Sequence, residues 1–83
     1  MPRTHYHVLI DYMPEPAQLT SKAAATKACS EAVRGYRELD ERERRPSFRR
    51  VWRLEDGCWN GYEKSTGNLD TKVEYAPCDE VHD

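Results

Sequence analysis

The 83-residue sequence predicts an α+β fold: a single domain with one α-helix packed on a small antiparallel sheet of about four strands, in the order β-α-β-β-β. Three observations carry that expectation. Residues Phe48 to Lys64, FRRVWRLEDGCWNGYEK, alternate apolar and charged side chains around Asp56-Gly57. An Asp-Gly pair suits a two-residue hairpin turn because both central positions need positive φ. Between about Thr20 and Leu39 the apolar spacing changes to three and four, the period of a helix with one buried stripe. Alternating runs at both ends of the chain then supply the remaining strands.

In chain order, His5 to Tyr12 places Tyr6, Val8, Ile10 and Tyr12 on one face, with β-branched and aromatic residues that favour a strand. Its place in the sheet, at an edge or beside the hairpin, is open. Met13-Pro14-Glu15-Pro16 should end this strand, because proline cannot donate to a ladder. Thr20 or Ser21 can cap the helix, whose apolar stripe is Ala25, Ala28, Cys29, Ala32, Val33, Tyr36 and Leu39. Gly35 in mid-helix suggests close packing. The charged run Asp40 to Arg45 either lengthens the helix or loops onward, and Pro46 stops it. The hairpin turn sets Glu55 opposite Cys58, Leu54 opposite Trp59, Trp52 opposite Gly61 and Arg50 opposite Glu63. The face with Phe48, Trp52, Leu54 and Trp59 is the expected core side. Leu69 to Tyr75 alternate as a last strand, closed by Ala76-Pro77, and residues 78–83 read as a loose acidic tail.

So short a chain buries only roughly 60% of its unfolded surface, which favours a binding module over an enzyme with an enclosed pocket. Forming a homodimer would bury more. No apolar run follows Met1-Pro2-Arg3, so no signal peptide is expected. No stretch is long enough to span a membrane, and the expected location is the cytoplasm, that of the host cell if the chain is phage-encoded. Three widely spaced cysteines, Cys29, Cys58 and Cys78, do not form a disulfide framework and are expected to be reduced. The formal charge of −2 is unevenly spread: residues 34–53 hold eight arginines against four acids, and residues 54–83 hold two lysines against eight acids.

Catalytic and metal-binding constellations are weak at this level. His5-x-His7, Cys78, His82 and Cys58 are the available ligands, but no CxxC pair is present, so no metal and no cofactor are expected. Cys58 beside His5 or His7 could form a nucleophilic pair only if the first strand adjoined the hairpin, and both Cys29 and Cys58 read as packing residues. No catalytic residue is assigned, and a non-enzymatic protein is expected.

Binding is better supported. Arg44, Arg45, Arg49, Arg50 and Arg53 fall within ten residues. Arg49 and Arg53 should share the outer hairpin face with Tyr62 and Lys64, where arginines beside an aromatic can hold phosphates and stack a base. A net negative chain is an unusual dedicated nucleic-acid binder, so direct DNA or RNA contact is the alternative. Arginine, tryptophan and tyrosine also dominate protein–protein hot spots, and the chain has nine, two and five of them. The expected partner-binding residues are Arg44, Arg45, Arg49, Arg53, Tyr62 and Lys64. The acidic last third, as a mimic of nucleic acid, is a variant of the same reading.

With its opening strand HYHVLIDY, helix TSKAAATKACSEAVRGYREL and hairpin RRVWRLEDGCWNGYEK, the chain resembles small phage-encoded anti-CRISPR proteins. The likeness is one of size and layout over most of the chain. It implies a non-enzymatic inhibitor that binds a host CRISPR-Cas surveillance complex or its nuclease and blocks target DNA recognition or cleavage.

Overall fold

A computed structural model describes residues 4–81. The elements are β1 (His5–Ile10), β2 (Met13–Pro14), α1 (Lys22–Glu43), a 3-10 turn (Pro46–Phe48), β3 (Arg50–Glu55), β4 (Cys58–Glu63) and β5 (Leu69–Cys78). All strands join one antiparallel sheet in the order β2-β1-β5-β4-β3. The α+β class and the expected order hold, with five strands rather than four. Neither of the places left open for the first strand is the one it takes: β1 lies between the short β2 and the C-terminal strand β5. Among the described residues no helix is long and apolar enough to cross a membrane.

The fifth strand arises where prolines were expected to end pairing. Asp11 and Tyr12 both adopt positive φ (51° and 69°), making a tight turn without glycine that sends Met13–Pro14 back along β1. The Glu15 amide donates to the Val8 carbonyl at 2.7 Å. Alternation then turns the Pro14 nitrogen outward on an edge strand, where its missing N–H is harmless. Pro77 sits inside β5 for a related reason. Lys72 points its backbone toward Asp11, so Pro77, five residues on, points away from β1, past the end of β4. The strand therefore runs on to Cys78, and the tail expected from residue 78 starts one position later.

The helix begins at Ser21, whose Oγ accepts from the Ala24 amide at 3.1 Å. It runs through the charged segment to Glu43. Its stripe of Ala25, Cys29 and Val33 meets Val8, Trp52 and Val73 from the sheet, and these six side chains are the buried apolar core. Burial, with Cys58 and Glu74 nearby, pushes the Cys29 thiol up to about 11, in keeping with a packing role. Tyr36 stacks on Trp52 with ring centroids 5.8 Å apart. A Cβ at Gly35 would touch nothing, so this glycine does not mark close packing. Phe48 also departs from expectation: Pro46 starts a 3-10 turn, so Phe48 stands outside β3 and is exposed. Leu54, close to the hairpin tip, is likewise exposed.

The end of α1 is tied to the sheet by charge. Asp40 is 2% exposed and accepts from the Arg50 backbone amide (3.0 Å) and from Arg50 Nη1 (3.2 Å). Arg50 Nε reaches Asp70 at 2.8 Å, and Arg44 bridges Asp40 (3.5 Å) and Asp70 (3.3 Å). The hydrogen bond from Arg50, and then its charge and that of Arg44, hold the Asp70 carboxyl below the usual range against some desolvation. A depressed folded value means stability that is fully present above the unfolded value near pH 4 and is lost as pH falls through the folded one. Asp70→Asn should therefore flatten the acid limb of a plot of urea midpoint against pH below about 4. An acid limb as steep as that of the parent protein would show that Asp70 carries none of it. Asp70 is partly solvated, so the change is expected to be modest.

Candidate functional site

The helix covers one face of the sheet, and alternation places a second set of side chains on the opposite face. Across the hairpin this outer set is Val51, Arg53 and Glu55 on β3, with Tyr62, Asn60 and Cys58 opposite them on β4. A shallow cavity of about 320 Å³ is lined here by Val51, Arg53, Tyr62, Glu63, Lys64 and Gly67. Val51 is 43% exposed, an apolar floor beside two cations.

The polar groups of this face are held in place. The Arg53 guanidinium lies 5.9 Å from the Tyr62 ring centroid. Tyr62 donates its hydroxyl to Glu55 Oε1 at 2.5 Å, and Asn60 Nδ2 donates to the same oxygen at 3.4 Å. That bond pushes the Tyr62 phenol up, and together with Asn60 and Arg53 it holds the Glu55 carboxyl down. Glu55 is thus spent on orienting the tyrosine, and the cavity is lined by two cations, Arg53 and Lys64, and one acid, Glu63. β3 is the last strand of the sheet, so its outer backbone edge flanks the same cavity.

Of the six residues expected from sequence to bind a partner, the structure brings Arg53, Tyr62 and Lys64 together. The others go elsewhere. Arg49 is half-buried, with Nε donating to the Arg44 carbonyl (3.3 Å) and Nη2 to the Glu41 carbonyl (3.2 Å). These are carbonyls at the C-terminal end of α1, where a cation is favoured. Its expected place on the outer hairpin face is corrected accordingly. Arg44 belongs to the Asp40–Asp70 network. Arg45 is exposed at the start of the 3-10 turn, on the connection from α1 rather than on the outer face.

A second cluster lies at the far end of the outer face. His5 and Cys78 are directly paired across β1 and β5, and His7 lies two residues along on the same side. Sequence reasoning counted these residues among the available ligands but expected no metal, since their pairing depends on where β1 enters the sheet. His82 lies outside the described residues. A separate cavity of about 500 Å³ adjoins the cluster and is lined in part by His7 and Cys78.

Tyr12 and Met13 were not singled out from sequence as surface groups, yet they are 68% and 70% exposed at the β1–β2 turn. The Lys72 ammonium sits 5.2 Å from the Tyr12 ring. Comparison of the chain with protein-family models, with curated proteins and with solved structures gave no match.

Proposed function

We propose that this chain is a non-enzymatic binding protein that docks its outer hairpin face onto a larger nucleic-acid-handling protein in the cytoplasm of its host. The resemblance in layout to phage anti-CRISPR proteins makes a CRISPR-Cas surveillance complex, or its nuclease, the expected target, with target DNA recognition or cleavage blocked. The observation that carries the docking face is the cavity in which Arg53 and Lys64 flank Val51 and an oriented Tyr62. Arginine and tyrosine are among the residues enriched at hot spots. Arg53 and Lys64 suit acidic groups on the partner, a pairing that would speed encounter as well as fix register.

The test is affinity capture with the tagged protein from host lysate, with and without nuclease, followed by binding assays on the recovered partner. The expected result is a discrete, nuclease-resistant partner whose affinity falls at least about tenfold for the double variant Arg53→Glu/Lys64→Glu. Neither side chain supports the core, so that variant should unfold at the parent's midpoint. Unchanged binding by the folded variant would rule out this face. Recovery of nucleic acid alone, with affinity falling steeply as salt rises, would replace the protein partner by direct nucleic-acid binding at the same arginine and tyrosine.

A further inference from the structure

We infer that His5, His7 and Cys78 form a binding site for a divalent transition metal of the zinc class. The ligand atoms of the three side chains all lie within 4.8 Å of one another. Both histidines are only 8% exposed, and Cys78 is half-buried, so the donors converge inside the protein rather than on a mobile surface. The backbone fixes the arrangement: His5 faces Cys78 across the β1–β5 ladder, and His7 follows at the next position on that face.

The hydrogen bonding selects the correct nitrogen. His7 Nδ1 lies 2.8 Å from the Glu15 carbonyl oxygen, which can only accept, so Nδ1 carries the proton. The lone pair of the neutral ring is then on Nε2, the atom directed at His5. A histidine bonded to a backbone carbonyl through one nitrogen and presenting the other is the usual outer support of a metal ligand. The two Nε2 atoms are 2.9 Å apart. In a tetrahedral zinc site, nitrogens about 2.0–2.1 Å from the ion stand about 3.3 Å from each other and about 3.6 Å from a thiolate sulfur. Small rotations of the His5 ring and of Cys78 bridge that difference.

The ion displaces the proton shared between the two Nε2 atoms, and the His5 ring keeps one proton by carrying it on Nδ1. The Cys78 thiol releases its proton to solvent, so one proton leaves for each ion bound. Three protein ligands leave a fourth position. Because His7 and Cys78 both line the 500 Å³ cavity, a water molecule or a small anionic group entering it can reach that position.

Titrating the reduced 83-residue chain with Co2+, followed by optical absorption, and separately with Zn2+, followed by calorimetry, tests the site. The expected result is one ion per chain, a thiolate-to-cobalt charge-transfer band, and displacement of cobalt by zinc. Cys78→Ser should abolish the band and weaken zinc binding at least about tenfold, and His7→Gln should weaken binding to a similar extent. Cys58→Ser should retain both band and affinity. All three variants are checked by circular dichroism and unfolding midpoint. If His7→Gln fails to fold, the comparison of Cys78→Ser with Cys58→Ser decides alone. A parent protein without a band, or a band that survives Cys78→Ser, would overturn the site.

Discussion

Replacing Asp40 with alanine is expected to cost about 3–5 kcal/mol of folding stability. An 83-residue domain has roughly 4–12 kcal/mol in total, so this variant should be largely unfolded or close to it. The size of the effect comes from what is left behind. Arg50 has 8% of its side chain exposed and lies 4.7 Å over the Tyr36 ring, so it has no route to bulk water when its partner is lost. Its backbone amide, now bonded to Asp40 Oδ2, loses an acceptor in the same step. Asp70 remains to Arg50, which is why the loss should stay within that range. Removing both members should cost much less than removing one: Asp40→Leu combined with Arg50→Met replaces a desolvated pair with apolar volume. Chemical denaturation of Asp40→Leu, Arg50→Met and the double variant gives the coupling. A loss below about 1 kcal/mol for Asp40→Ala would mean that solvent screens the pair despite its burial.

That network also shows what could and could not be read from sequence. The hairpin was legible because its register is a local matter. Asp56-Gly57 fixes the turn, and each expected pair, from Glu55 and Cys58 to Arg50 and Glu63, is found in the ladder. The helix was legible from its period, and Ser21 is one of the two caps expected. Asp40 was not, because an acid at the end of a charged run looks like a solvated residue until the partner from β3 is known. Arg49 shows the same limit in reverse. Alternation assigned it to the outer face, yet the unpaired carbonyls at the end of α1 claim it. Helix-end carbonyls have a fixed demand for donors, whereas a long arginine satisfies whichever demand is nearest.

Non-local pairing was the larger obstacle. His5 and Cys78 lie at opposite ends of the chain, and no periodicity within either strand sets their register. Pro14 and Pro77 read as strand breakers in sequence because proline lacks a donor. Whether that matters depends on which side of the strand has a neighbour, which is a property of the sheet. Of the candidate face, Arg53, Tyr62 and Lys64 were legible, all within or next to the hairpin. The exposed turn at Tyr12 and Met13 was hidden because Asp11-Tyr12 lacks the glycine or asparagine that marks such turns.

Trp52 should be the most sensitive apolar position, and its variants should separate packing from volume. Trp52→Ala removes a ring stacked on Tyr36 and pressed against Gly61, and is expected to cost about 3–5 kcal/mol. A Cβ built on Gly61 would lie 3.0 Å from two carbon atoms of that ring. The indole has Tyr36 stacked against it, so it has little room to retreat. Gly61→Val should therefore cost about 1–3 kcal/mol through overpacking, although valine is the better strand residue by propensity. Trp52→Phe should be the mildest of the three. The indole N–H is buried without an acceptor among the described residues, and phenylalanine removes that unmet donor together with part of the ring. The combination Gly61→Val/Trp52→Phe then becomes informative, because the smaller ring vacates the space the new side chain needs. Its cost should fall well below the sum of the two single losses in urea denaturation. Strict additivity would place the Gly61 penalty in the backbone of β4 rather than in its contact with the indole.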